Sequence, residues 1–292
     1  MSLLARRMMW RAGRKLYMYA RKEAPNEMSS NGELRLQRML VSTLPPGAKL
    51  IAFDIGARIG DWSKALVDVA STRQGGIELH AFEPVPESRA MLEEAIAKEI
   101  ARGEARVNGV AMSNESKTMQ IYVPHFSGGT STLHPDSAVK YERLIDVRTS
   151  TVDQYCAENA IKHIDLIKID TEGNDFRVIQ GARGLLLGGS IGVVQFEYNY
   201  RWIHSRCYLK DVFDQIQHTQ YCVAKVCPNS LEVYVSWHPE LERFFETNYA
   251  LVHRRLLESL DCSTFRIGAS NACESVGKAA GSVSIANAKT NA

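Results

Sequence analysis

The sequence predicts an α/β protein built on a doubly wound, mostly parallel sheet that ends in an antiparallel hairpin. Short apolar runs at 50–55, 77–82, 105–112, 164–170 and 191–198 alternate with helical patterns. Glycines and carboxylates gather just after several of these runs, where a strand turns into the next helix. Two further runs, 221–226 and 231–236, flank the turn segment CPNS and read as a hairpin. Parallel neighbours need a crossover, and crossovers are right-handed, so the helices cover both faces of the sheet.

The elements follow in order. LIAFDI (50–55) is a buried strand, followed by a glycine-bearing turn and a helix carried by Trp62, Leu66, Val67 and Val69. IELHAF (77–82) is the second strand. Pro86 opens the next helix at a favourable first-turn position, and Met91, Leu92, Ala95 and Ile96 face inward over 87–102. ARVNGVAM (105–112) is the third strand, and TMQIYV (118–123) alternates as a short additional one. The loop from 124 to 136 is too polar and glycine-rich to be an element. IDLIKID (164–170) is a strand ending in acid, 174–187 a helix, IGVVQFEY (191–198) a buried strand and 209–219 a helix.

Three segments are expected: a basic N-terminal one (1–32), the main domain (33–262) and a Gly, Ala, Ser and Asn-rich tail (263–292) too poor in large apolar residues to order itself. Arg6, Arg7, Arg11, Arg14, Lys15, Arg21 and Lys22 precede the first acid, Glu23, which leaves 28 basic against 33 acidic residues for the rest. That acidic body is unsuited to tracking a phosphate backbone, so no nucleic-acid partner is expected. Residues 1–24 have two readings, a solvated helix resting lightly on the body, which the sequence favours, and attachment to an anionic membrane surface or a partner. Six cysteines without a ligand set for zinc read as reduced thiols in a cytoplasmic compartment.

In such sheets a ligand sits beyond the carboxyl ends of the strands, so those ends hold the candidates. Asp54, Gly56, Ala57, Arg58 and Gly60 form an Asp-x-Gly-x-x-x-Gly turn. A dinucleotide fingerprint would need glycines where Arg58 and Asp61 stand, which counts against a nicotinamide-dependent oxidoreductase. Glu83, followed by Pro84, suits the two hydroxyls of a ribose. Asp170 and Glu172 stand at the mouth of the fourth main strand, and Glu197 and His204 follow the fifth.

FDIGARIGDW, HAFEPVPES, NGVAMSN, TSTVDQY and IDLIKIDTEGNDFRVIQGA, in that order, resemble the FkbM-type family of S-adenosylmethionine-dependent methyltransferases over about residues 50–200. The resemblance implies a Rossmann-like, seven-stranded methyltransferase sheet with S-adenosylmethionine as cofactor and transfer to a hydroxyl oxygen. It implies that Asp54, Gly56 and Gly60, with Ala57 and Arg58 between them, line the methionine moiety. Glu83 and Pro84 would hold the ribose, Ala111, Met112 and Ser113 would flank the adenine, and Asp170 and Glu172 would face the reaction centre. The family usually has Asn where this chain has Arg58.

Glu172, Glu197 and His204 are the candidate bases, with His125 behind them. No metal is expected, although Asp170 and Glu172 together have the donor type for a divalent ion. The expected acceptor is a sugar or polyhydroxylated small molecule, because His125, Phe126, His134, Tyr198, Tyr200, Trp202, His204 and Tyr208 make an aromatic, hydrogen-bonding rim. A noncatalytic cofactor-binding module is the remaining alternative, and retention of Asp170, Glu172 and Glu197 argues against it.

Overall fold

A computed structural model of the chain describes residues 1–124 and 130–279. An N-terminal helix, α1 (Leu3–Ala20), precedes α2 (Glu33–Thr43). The sheet begins with β1 (Leu50–Ile55), α3 (Asp61–Ala70), β2 (Ile77–Phe82), α4 (Pro86–Ala95), α5 (Ala97–Ala101) and β3 (Ala105–Asn108). β4 (Ala111–Met112), β5 (Thr118–Val123) and β6 (Arg143–Ser150) leave the main sheet and make a small one, in the order β4-β6-β5. The chain returns through α6 (Val152–Glu158), β7 (Ile164–Ile169), α7 (Asp175–Gly181), α8 (Arg183–Leu187), β8 (Ile191–Tyr198), α9 (Trp202–Ser205) and α10 (Leu209–Gln215). β9 (Tyr221–Cys227), β10 (Ser230–Tyr234), β11 (Thr247–His253), β12 (Cys262–Ile267) and β13 (Cys273–Lys278) complete it.

The main sheet has ten strands in the order β13-β12-β10-β9-β11-β8-β7-β1-β2-β3. From β3 to β8 every pair is parallel. β7 and β8 are buried at every position, as central strands covered on both faces must be. One apolar core lies around Phe53, Ile167, Phe196 and Trp202, and a second around Leu50, Leu66, Leu79 and Val193. A third, with Val85, Ala111, Ile121, Leu133 and Val147, joins the small sheet to the mouth of the large one.

The predicted doubly wound α/β architecture is the one observed, with a larger, mostly antiparallel wing in which β10 and β12 pair in parallel. β9 and β10 do form the expected hairpin, but β11 comes back between β8 and β9 and separates the hairpin from the parallel half. The run 105–112 is not one strand, because β3 stays in the main sheet and β4 pairs with β6. The predicted helices 87–102 and 174–187 each divide, at Ile96 and at Ala182, both of which leave helical geometry. The tail read as unstructured from 263 carries β12 and β13. β13 buries no side chain and is held by its ladder to β12 and by side-chain contacts of Cys273 with Tyr234 and of Lys278 with Asp261, so composition gave no sign of it. Residues 280–292 lie outside the described residues.

Candidate active site

The β1–α3 turn sets the floor of the site. Gly56 lies at φ 81°, and a Cβ there would come within 1.9 Å of the Asp170 carbonyl oxygen, so the backbone of β1 abuts that of β7 with no room for a side chain. Two residues on, Arg58 also takes a left-handed conformation, φ 51°, and aims its N–H at Glu83 Oε2, 3.0 Å away. Val85 N–H donates to the other carboxylate oxygen at 2.8 Å. Glu83 is thus fixed across the mouths of β1 and β2. Burial raises its carboxyl to about 7 against the opposing pull of those two amides.

These residues line a cleft of about 630 Å³, including its open mouth, a size typical of small-ligand sites. Ile55, Gly56, Arg58, Phe82, Glu83 and Pro84 form one side. Val110, Ala111, Met112, Ile121 and Leu133, with Ser131 among them, form a mostly apolar part of the wall. Asp170, Thr171, Glu172 and Asn174 close the far end. Asp54 is not on the wall. It is fully buried beneath it, accepting from Ser63 Oγ at 2.7 Å and lying 3.8 Å from Lys168 Nζ. Ala57, Gly60 and Ser113 also stand off the cleft. Ala57 and Ser113 are buried, and a Cβ on Gly60 would meet Leu92 at 2.9 Å, so that glycine packs the helix rather than the cleft.

Lys168 reaches Asp170 Oδ2 at 3.1 Å. Burial works against its charge, but Asp170 and Asp54 outweigh that and hold the ammonium protonated. Burial likewise pushes the Asp54 carboxyl up, with Lys168 and Ser63 opposing. We read the pair as ionised, because a buried ammonium needs a counter-ion.

At the far end, one oxygen each of Asp170, Glu172 and Glu197 lies within 4.8 Å of the others. Among the described residues this is the one group with the donor set for a metal ion. Glu172 takes a left-handed backbone, φ 54°, and pairs with Arg201 at 3.1 Å. Burial, then the charge of Asp170, pushes its carboxyl well above the usual range. Burial does the same to Glu197, reinforced by Asp170 and Glu172. Both Glu197 oxygens are occupied, by Asn26 Nδ2 at 2.6 Å and Asn199 Nδ2 at 2.5 Å.

The acidic loop itself is shaped by residues that the sequence reading did not single out. Asp175 accepts from the Thr171 and Gly173 N–H groups, closing the turn. Asn174 donates to the Met112 carbonyl and meets His134 Nε2 at 2.9 Å, tying the loop to the small sheet. An Asn-Asp pair after a strand is a turn signal that could have found both. Lys168 and Arg201 gave no comparable signal.

His204 stands apart from the cleft, 3.5 Å from Asp136 and edge-on to Tyr200. The aromatic rim is only partly a rim. Tyr200 and Tyr208 are about half exposed, whereas Tyr198 and Trp202 are core residues. Trp202 Nε1 donates to the Glu197 carbonyl, and Tyr198 donates to Glu242. His125 and Phe126 lie outside the described residues.

Comparison with known proteins adds a family. The model of the methyltransferase FkbM domain matches residues 54–221. The 31-O-demethyl-FK506 methyltransferase FkbM of Streptomyces tacrolimicus is 28% identical over 158 residues, 45% of this chain and 58% of that protein. The matched part therefore spans a little over half of that relative's length. Among solved structures, the methyltransferase FkbM from Methylobacillus flagellatus KT is similar with 15% identity and a TM-score of 0.45, over 71% of this chain and 44% of that one. The N-terminal domain of human METTL16 is similar with 10% identity and a TM-score of 0.41, over 76% of this chain and 68% of that one.

Proposed function

The chain belongs to the FkbM methyltransferase family, and on that premise we propose that it moves a methyl group from S-adenosylmethionine to a hydroxyl of a sugar or polyhydroxylated small molecule. The observation that carries the reading is a single cleft with Glu83 at one end and the Asp170–Glu172–Glu197 group at the other. Glu83 keeps free lone pairs on both oxygens for the ribose hydroxyls. Pro84, Ala111, Met112 and Leu133 offer an apolar slot to the adenine, and the Gly56–Arg58 turn offers close backbone approach to the amino acid end. The cofactor, when bound, supplies a methyl group on a positively charged sulfur.

The protein's part is alignment and proton removal. Glu172 is on the cleft wall and serves as the base, since Arg201 holds it in place and its raised affinity for a proton suits taking one from a hydroxyl. Glu197 is not on the cleft wall and positions Glu172 electrostatically. His204 is not on the cleft wall, whereas Glu172 is. Five of the six cysteines are buried thiols, which fits work in a reducing, cytoplasm-like compartment.

Calorimetric titration of the intact protein and of Glu83→Ala with S-adenosylmethionine and its demethylated product, with NAD as control, tests the reading. Micromolar binding of the first two, weakened by at least about tenfold in the variant and absent for NAD, is expected. Equal melting temperatures of the two proteins would exclude misfolding. No binding at about 0.1 mM protein, where affinities of roughly −5 to −6 kcal/mol are still seen, overturns it.

A further inference from the structure

We propose that α1 is an interfacial helix that seats the protein on an anionic lipid surface. Residues 1–22 contain seven basic residues and no acid. Over its 18 residues α1 buries no side chain. At about 100° per residue, Arg7, Arg11, Arg14 and Lys15 share one arc of the helix, and Met8, Ala12, Leu16, Met9 and Tyr19 share the arc beside it.

The helix leans on the body only through its second half. The Arg14 guanidinium lies 4.9 Å over the Phe245 ring, and Tyr17 faces the same ring at 6.0 Å and donates to Glu240. That contact uses Arg14 at the edge of the basic arc and Tyr17 beyond it, and leaves the apolar arc open. Met8, Met9, Leu16 and Tyr19 are 63%, 59%, 70% and 86% exposed. An apolar strip next to arginines and lysine fits the boundary between acyl chains and acidic headgroups, and the matching of charge selects an anionic surface over a neutral one. A nucleic acid would use the basic arc and leave the methionines and leucine unexplained. No helix among the described residues is long and apolar enough to cross a membrane, so the contact is superficial.

The placement of α1 has a consequence for the site. Six residues after its end, Asn26 donates to Glu197 and to Glu246. A lipid-seated α1 is thus tied, through Asn26, to the carboxylate group at the far end of the cleft.

The test is sedimentation of the full chain with vesicles of phosphatidylcholine alone and of phosphatidylcholine with phosphatidylglycerol at about 30%. Two variants accompany it, Met9→Ser with Leu16→Ser, and Arg7→Glu with Arg11→Glu. All four side chains are exposed, so melting temperatures stay unchanged. Pelleting with the anionic vesicles only, reduced at least about tenfold by each double variant, is expected. Three results overturn the proposal. They are no pelleting with either vesicle, pelleting indifferent to both variants, and a self-associated or RNA-bound state that the variants disperse in the absence of lipid binding.

Discussion

Glu172 is held by three constraints that act against one another. Its backbone is left-handed, its carboxylate faces Arg201, and its proton affinity is raised by burial and by Asp170. If it is the base, kcat/KM for methyl transfer climbs with pH through a limb well above the ordinary Glu value of about 4.3. Glu172→Gln should lose that limb together with a factor of about 10² to 10⁴ in kcat. Arg201→Met should shift the limb to still higher pH, because Arg201 is the group that opposes the rise. A limb that persists unchanged in Glu172→Gln would transfer the role to another group, with Glu197 next in line. At this scale the sequence was readable wherever a residue followed a strand directly, as Glu83, Asp170 and Glu172 do. It was unreadable for Asn26, which reaches Glu197 across 171 positions of chain, and for Arg201. It also misplaced Asp54, since a carboxylate in a glycine turn looks the same whether it lines a cleft or sits beneath one.

Elements that run buried through both layers, β1, β2, β7 and β8, are continuous apolar runs and declare themselves. β6 hides because its outward positions include Asp146 and Arg148, and its partners lie in the small sheet. β11 hides because the hairpin before it already resembled an ending. The segment from Arg21 to Glu33 was invisible as structure, yet it straps the antiparallel wing. Lys225 on β9 is 1% exposed and lies 2.7 Å from Glu23, whose other oxygen accepts from Thr247 on β11. Glu33, at the start of α2, accepts from Gln195 of β8. Lys225→Met should cost about 3 kcal/mol, because removing one partner of a buried pair leaves the other charge with only part of its compensation. Urea unfolding would show it as a lower midpoint at unchanged slope. A loss below about 0.5 kcal/mol would mean that Arg21 and Thr247 suffice to hold Glu23.

The whole molecule gathers its strand ends, and with them its carboxylates, at one edge of the sheet. Glu83, Asp170, Glu172, Asp175 and Glu197 meet there with Lys168 and Arg201 as the nearby cations. Such an edge is expensive to fold in its fully ionised form. Asp175 is the cleanest reporter of that expense, being 1% exposed and raised to about 7 by burial and then by Asp170, against the pull of its backbone donors. The folded state therefore binds the proton more tightly than the unfolded chain, whose Asp titrates near 3.9. The sign follows from that difference. Stability is unpenalised below about pH 4, declines as pH rises to about 7, and is level above it, with a total of at most about 4 kcal/mol from this group. Asp175→Asn removes the titration. It also gives up one of the two acceptor positions for the Thr171 and Gly173 N–H groups, a pH-independent loss of about 1 kcal/mol. The variant should accordingly be less stable than the parent at about pH 3.5, where the parent is scarcely penalised, and more stable at about pH 8, measured by urea unfolding of both proteins at both values. A stability difference that stays the same between the two pH values would show that the loop amides keep Asp175 ionised throughout, and the concentration of charge at this edge would then be compensated locally rather than through protonation.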